Sequence, residues 1–129
     1  MRYLLDTDWI INLLAGKAAA EAKIQHLDPE EIVISLVTVA EIYESAFTYA
    51  NPEAHIQAFR SFLDNFHLLS LNLPIIEKFA EVRAYLRRRG QLIADFDILL
   101  AATALHHDLI VLTFNKKHFE RIPDLKLYP

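Results

Sequence analysis

Four side chains stand where a catalytic site could form: the carboxylates of Asp6, Glu41 and Asp97 and the amide of Asn115. Each follows a predicted strand or begins the helix behind one. The strand ends that lead into helices share one edge of a parallel sheet, and open α/β sheets bind their ligands there. We therefore expect the four side chains to face one crevice.

Carboxylates brought this close repel one another, and their pKa values rise unless a cation lies among them. The chain contains no Cys, and its His residues do not fall at ligand spacing. Oxygen-only ligands suit Mg²⁺ or Mn²⁺ better than Zn²⁺. Mg²⁺ usually takes one or two protein carboxylates and keeps room for phosphate oxygens. The pattern therefore predicts metal-assisted hydrolysis of a phosphodiester.

Each acid also has a simpler explanation, because Asp and Glu near helix N-termini cap free N–H groups and complement the helix dipole. Glu41 could be the last member of a capping box that Thr38 opens. Asp95 or Asp97 could be a helix cap, and Asp8 could be a first-turn acid. Capping explains any one of these acids, but it does not explain why several of them should meet at one sheet edge.

The segments that carry these residues alternate between strand and helix patterns. We predict strands over 3–5, 31–36, 67–71, 109–112 and 124–128, and helices over 9–14, 18–26, 38–50, 52–66, 74–89 and 98–107. Alternation of this kind predicts a three-layer α/β/α domain with a mainly parallel central sheet. Residues 1–129 are expected to form this single domain.

Composition supports a folded chain, with 53% apolar and 23% charged residues among 129. No apolar run reaches the ~20 residues of a membrane span, and no signal peptide is recognisable. The absence of Cys fits a reducing compartment. We therefore expect a soluble, cytoplasmic protein with no membrane partner. The net charge of −4 does not decide for or against nucleic acid, since a cluster of catalytic acids contributes to it.

Taken in order and at this length, the chain resembles the PIN-domain ribonucleases, specifically the VapC toxins of type II toxin–antitoxin modules. The resemblance covers essentially the whole chain. The segments that carry it are Leu4-Leu5-Asp6-Thr7-Asp8, 35–41, 97–104, 111–115 and 119–123.

The resemblance implies a role for each matching residue. Asp6, Glu41 and Asp97 match the three core acids of the family, which would hold Mg²⁺ or Mn²⁺. Asn115 matches a fourth catalytic position that is often Asp; it brings no charge, so a second metal ion is in question. Asp8 replaces the usual Asn, and we expect it to be a first-turn acid.

The implied activity is endoribonucleolytic cleavage of RNA, with tRNA among the substrates that the resemblance suggests. The implied partners are a VapB-type antitoxin, a segment of which would cover the crevice, and a second copy of the chain in a homodimer.

Parts of the sequence also suggest three other functions. A haloacid-dehalogenase-type phosphohydrolase would use Asp6-Thr7-Asp8 as its nucleophile motif, but the chain has no Gly-Asp pair for the late acid motif. A signalling receiver domain needs an Asp at the end of its third strand, and 66–70 contains none. A PIN-like module that has lost catalysis and only binds RNA or antitoxin is compatible with Asn115, but three intact acids favour the enzyme.

Overall fold

A five-stranded, entirely parallel sheet forms the centre of the computed structural model, which describes all of residues 1–129. Its strands are β1 (Tyr3–Leu5), β2 (Ile32–Ser35), β3 (His67–Leu69), β4 (Ile110–Leu112) and β5 (Lys126–Leu127). Their order in the sheet is β3-β2-β1-β4-β5. The first strand is therefore central and the last lies at an edge. The predicted three-layer α/β/α domain with a parallel sheet is confirmed.

Seven helices cover the two faces of the sheet. They are α1 (Thr7–Leu14), α2 (Ala18–Ile24), α3 (Leu36–Ala46), α4 (Pro52–Leu63), α5 (Leu73–Arg88), α6 (Asp95–His107) and α7 (Lys116–Phe119). A short 3₁₀ turn, Pro29–Glu31, leads into β2. The six predicted helices are all present with shifted ends, and α7 was not predicted. None of the helices is both long enough and apolar enough to cross a membrane.

The period of two along the strands divides the core between the two faces. Leu4 of β1 packs in a cluster with side chains of α5 and α6, such as Leu86 and Ile98. Its neighbours Tyr3 and Leu5 pack on the opposite face with side chains of α1 to α4. The three layers thus follow directly from alternate apolar residues that are buried on both sides.

The parallel register sets the catalytic candidates at one edge. Leu4 pairs with Val33 of β2 and with Val111 of β4, so these three strands end together. The backbone N–H of Asp6 donates to the carbonyl of Leu112 at 2.9 Å, which extends the pairing to the last residue before α1. The carboxyl ends of β1, β2 and β4 therefore open onto the same crevice.

The predicted capping box at the start of the third helix is wrong. The strand before α3 ends at Ser35, and the Oγ of Ser35 accepts from the N–H of Val37 at 3.1 Å, so Ser35 is the N-cap. Thr38 already lies inside the helix, buried, with a hydroxyl that has no partner. The helix begins at Leu36 because the hydroxyl of Ser35, the last residue of the strand, accepts from one of the free N–H groups. Glu41 therefore lies in the second turn and caps nothing.

Candidate active site

Asp6 is both the N-cap of α1 and a buried acid of the crevice, with 5% of its surface exposed. One carboxylate oxygen accepts from the N–H of Thr7 at 2.7 Å, and the other accepts from the Oγ1 of Thr113 at 2.7 Å. Burial, assisted by the negative charge of Asp8, raises the pKa of Asp6 to about 7 in spite of these two hydrogen bonds. The capping explanation is thus correct for Asp6 but incomplete.

Glu41 extends from the second turn of α3 towards α1. Its Oε1 accepts from the Oγ1 of Thr7 at 2.6 Å. Thr7 therefore binds two acids at once, Asp6 through its backbone and Glu41 through its hydroxyl. This arrangement joins the acids that follow β1 and β2 across the crevice.

Asp97 reaches the same crevice from the first turn of α6. The N-cap of α6 is Ala94, which has no capping side-chain bond, so the acids of this turn do not act as its N-cap. Burial raises the pKa of Asp97, and the negative charges of Glu41 and Asp8 raise it further, while His118 lowers it. Asp97 therefore lies within electrostatic range of acids from two other elements.

Asp95, two residues earlier on α6, has a different environment. It is exposed, and its Oδ1 accepts from the Nε of Arg83 on α5 at 2.8 Å. This exposed ion pair lies outside the crevice. The difference between Asp95 and Asp97 makes them a natural pair for comparison by mutation.

Asn115 lies at the edge of the crevice, in the loop between β4 and α7. Its Nδ2 is 2.8 Å from the Nδ1 of His118, and its backbone N–H donates to the Oγ1 of Thr113 at 2.9 Å. His118 was not predicted as a site residue. The only signal for it was its spacing of three residues from Asn115 at a helix start, which brings two side chains together. Thr7 and Thr113 were not predicted either, because their side-chain contacts are with acids far away in the sequence.

Asp8 makes contacts that a first-turn acid does not need. Its two carboxylate oxygens lie 3.3 and 3.1 Å from the backbone N of Phe114, which donates to them, and the Oγ1 of Thr113 lies 3.5 Å from one of them. Burial raises the pKa of Asp8. Asp8 therefore belongs to the acidic crevice and fixes the loop after β4.

The crevice thus gathers carboxylates from three segments, and the pKa values of Asp6, Asp8 and Asp97 are all raised. No group of three or more His, Asp or Glu side chains is spaced to hold a metal ion as it stands. The predicted roles of Asp6, Glu41 and Asp97 as metal ligands, and of Asn115 in catalysis, stay predictions. What the geometry establishes is that acids from three segments of the chain face one sheet edge.

Known proteins of one family match this chain over nearly its whole length. The family model of the PIN domain matches residues 3–125. Ribonuclease VapC1 of Haemophilus influenzae (strain R2866) is 33% identical over 98% of this chain and 96% of its own length. The tRNA(fMet)-specific endonuclease VapC of Shigella flexneri is 27% identical with the same coverage of both chains.

A solved structure agrees in fold. VapBC-1 from nontypeable Haemophilus influenzae superimposes with a TM-score of 0.88 at 32% sequence identity, covering 99% of this chain and 97% of the matched one. The phosphohydrolase and receiver-domain alternatives are excluded, because the similarity in sequence and fold extends through all five strands. The chain belongs to the PIN-domain family, in its VapC branch.

Proposed function

We propose that this chain is a metal-dependent endoribonuclease that acts as the toxin of a toxin–antitoxin pair. The observation that carries the proposal is the convergence of Asp6, Glu41 and Asp97 beside Asp8 at the carboxyl edge of the sheet. Relatives with this fold over nearly their whole length bear the names ribonuclease and endonuclease.

The donor set fits Mg²⁺ or Mn²⁺. Every candidate ligand is a carboxylate or amide oxygen, which these hard cations prefer. Burial, and after it the charges of neighbouring acids, raises the pKa values of Asp6 and Asp97, and a bound cation would favour their ionised forms. Since Mg²⁺ needs only one or two protein carboxylates, Asp6 and Asp97 are sufficient as principal ligands. A bound cation would supply charge stabilisation at the phosphorus and orientation of the attacking water.

The remaining side chains have distinct tasks in hydrolysis of the phosphodiester. Glu41, with one oxygen fixed by Thr7, keeps its second oxygen available to orient the attacking water and accept its proton. Thr7 and Thr113 hold the carboxylate of Asp6 from both sides. The amide of Asn115 lies 2.8 Å from the ring of His118, and the charge of His118 lowers the pKa of Asp97. This pair therefore favours the ionised form of Asp97.

Identification of the RNA follows from mapping new RNA 5′ ends after induced expression of the chain, with the Asp97→Asn protein as control. Relatives named for tRNA(fMet) make tRNA the first class to inspect. We expect new 5′ ends at a small number of positions for the wild type and none for Asp97→Asn. Equal sets of new ends for both proteins would contradict the assignment of cleavage to this crevice.

One alternative has support from a specific observation. Asn115 is uncharged and its amide is engaged by His118, and the acids are not preset as a metal cluster. A module that binds RNA or antitoxin without cleaving would have these features. Such a module would bind RNA in the presence of Mg²⁺ and leave it intact, whereas the enzyme that we propose cleaves it.

An apolar groove between α1, α3 and α4 fits the proposed antitoxin. The groove has a volume of about 310 Å³, and its lining includes Ile11, Leu14, Tyr43, Tyr49, Ile56 and Phe59. Two of its lining residues are near the crevice acids in the sequence: Ile11 is three residues after Asp8, and Ile42 directly follows Glu41. A VapB-type segment with large apolar side chains could therefore fill the groove and continue over the crevice. Known structures with this fold include a VapBC pair, which makes an antitoxin the favoured occupant.

The antitoxin proposal is tested by co-expression with the product of a small reading frame upstream of this one. We expect the two proteins to co-purify, and we expect Tyr49→Asp, which places a charge in the groove, to reduce recovery of the complex. Thr48→Asp is the matched control, since Thr48 is the exposed neighbour outside the groove lining. Absence of a complex for the wild type, or equal recovery for both variants, would contradict the proposal.

A further inference from the structure

An exposed aromatic ring lies beside the acidic crevice and has no part in the chemistry described above. Phe114 follows Thr113 directly, and 46% of its surface is exposed. Thr113 donates a hydrogen bond to Asp6, the most buried acid of the crevice. Phe114 is therefore the direct neighbour of a residue that contacts this acid. A large apolar side chain at the rim of a charged crevice calls for an explanation.

The ring of Phe114 is held in one orientation. It stacks on the ring of Trp9 with centroids 4.2 Å apart and planes at 9°. Trp9 is itself 1% exposed and packed in the core, so it forms a rigid base. Since Trp9 covers one face of Phe114, the exposed part of the ring is its opposite face and its edge. This face is flat, fixed and open to solvent.

The backbone of Phe114 is fixed as well. Its N–H donates to both oxygens of Asp8, at 3.1 and 3.3 Å. Asp8 and Trp9 are consecutive residues of α1, so one turn of helix holds both the backbone and the ring of Phe114. The carboxylate of Asp8 is available for this contact because Asp6 is the residue that caps α1.

A fixed aromatic face beside a phosphodiester site suits a particular ligand. Unpaired nucleobases stack on exposed aromatic side chains, and proteins bind single-stranded RNA in this way. Each stacked base strengthens binding by roughly 5- to 150-fold, with little dependence on its identity. An apolar side chain needed only to cover Trp9 would not have to be planar or to leave a parallel face exposed.

We propose that the open face of Phe114 is a stacking platform for an unpaired nucleobase next to the scissile phosphate, and that Asp8 is the positioning residue that holds this platform in place. The proposal rests on the proposed function, since it assigns part of the RNA-binding surface of the same site.

The test combines protein variants with modified RNA. The probe is a short single-stranded RNA that spans a cleavage site mapped for the wild type, and versions of it that lack one base at each position flanking the cleaved bond. Single-turnover cleavage is measured against protein concentration, which separates the half-saturating concentration from the maximal rate. The fluorescence of Trp9, the single Trp of the chain, reports binding independently.

Phe114→Leu keeps an apolar cover on Trp9 and removes the aromatic face, and Phe114→Met is a second variant of the same kind. We expect each to raise the half-saturating concentration of the intact RNA about ten-fold, with a smaller effect on the maximal rate. On one of the RNAs that lack a base, the variants and the wild type should bind equally. Phe114→Tyr should behave as the wild type, and Phe47→Leu, at an exposed Phe at the far end of α3, should change nothing.

The role of Asp8 is tested by the same difference in binding between intact and base-lacking RNA. Asp8→Asn keeps an oxygen that accepts from the N–H of Phe114 and should preserve the difference between intact and base-lacking RNA, whereas Asp8→Ala should abolish it. Equal binding of intact RNA by the wild type and Phe114→Leu, or the same loss on every RNA, would overturn the platform. If the difference in binding between intact and base-lacking RNA were the same in Asp8→Ala as in the wild type, the positioning role would be overturned. A wild type that cleaves no RNA would instead refute the proposed function.

Discussion

The side chain of Asp6 caps a helix and is buried, and these two environments shift its pKa in opposite directions. The hydrogen bond that it accepts from Thr7 as the N-cap of α1 lowers the pKa, whereas burial in the crevice raises it; in the proposed site Asp6 would bind a cation in its ionised form. Burial raises its pKa from 3.8 to about 7, so the metal-free fold favours the protonated form. Stability and activity should therefore respond in opposite directions when this charge is removed.

The first prediction concerns the stability of the metal-free protein. Because the pKa of Asp6 is higher in the folded chain than in the unfolded one, its contribution is fully present below about pH 4 and is lost as the pH rises through about 7. The raised pKa values of Asp8 and Asp97 act in the same direction. In EDTA, the free energy of unfolding should fall by about 4 kcal/mol between pH 4 and pH 8 through Asp6.

Asp6→Asn should remove most of this fall and be more stable than the wild type at pH 8, as measured by chemical denaturation. Added Mg²⁺ should stabilise the wild type more than the variant. Asp95→Asn is the control, because Asp95 is exposed and paired with Arg83. A variant that keeps the full dependence on pH would show that Asp6 is not the group responsible.

The second prediction concerns Thr113, whose hydroxyl donates to Asp6 and thereby lowers its pKa. Thr113→Val removes this hydrogen bond at nearly constant volume, so the pKa of Asp6 should rise further. The acid limb of the pH–rate profile for RNA cleavage should move to higher pH, by about half a pH unit or more.

Thr103→Val is the matched control for Thr113→Val, since Thr103 is also buried but donates to the carbonyl of Leu99 within α6. Its profile should coincide with that of the wild type. An acid limb of Thr113→Val that stays in place or moves to lower pH would contradict the assigned hydrogen bond.

At the scale of the elements, the start of α3 gives the third prediction. Ser35→Ala removes the capping oxygen and should lower the free energy of unfolding by about 1 kcal/mol. Thr38→Val should be neutral or stabilising, because the buried hydroxyl of Thr38 has no partner to lose. Denaturation curves for the two variants decide the matter. The opposite order would restore Thr38 as the N-cap.

Sequence patterns predict the strands and most helices of this chain because apolar residues alternate or repeat along it, as Tyr3–Leu5 and Leu73–Arg88 illustrate. They fail at the start of α3, where Ser35 and Thr38 are equally good caps and only the end of the strand decides between them. The short helix α7 carries too few residues to show a period.

The site follows the same division. Asp6, Glu41 and Asp97 can be found from topology, because parallel strand ends must share one edge. The contact between Asp8 and Phe114 cannot, since 106 residues separate the two in the chain and the local position of Asp8 matches an ordinary first-turn acid. Thr113 and His118 are likewise polar residues whose neighbours are fixed only by the tertiary fold.

At the scale of the whole molecule, a second apolar surface is exposed besides the groove between α1, α3 and α4. Its members surround the starts of α3, α5 and α6 and are between 37% and 75% exposed: Leu36, Leu71, Leu73, Ile76 and Phe96. Contiguous apolar patches of this kind usually mark an interface. The homodimer that the resemblance implies needs an apolar interface, and we propose that this patch provides it.

The fourth prediction follows from this patch. The purified chain should have twice the mass of one copy by light scattering, and Leu73→Asp should shift it to a single copy without loss of secondary structure. Phe47→Asp, at another exposed apolar residue outside the patch, should remain a dimer. A wild type with the mass of one copy, or a Leu73→Asp protein that stays dimeric, would contradict a dimer through this surface.

The central claim is that the converging acids form a metal-dependent site for RNA hydrolysis. It is tested most directly by single-turnover cleavage of RNA in Mg²⁺ by the wild type, Asp97→Asn and Asp95→Asn, two substitutions on the same turn of α6. We expect Asp97→Asn to lose about 100-fold or more of the rate, Asp95→Asn to lose about two-fold at most, and EDTA to abolish cleavage by the wild type. A folded Asp97→Asn protein that cleaves at the wild-type rate, or full activity in EDTA, would contradict the claim.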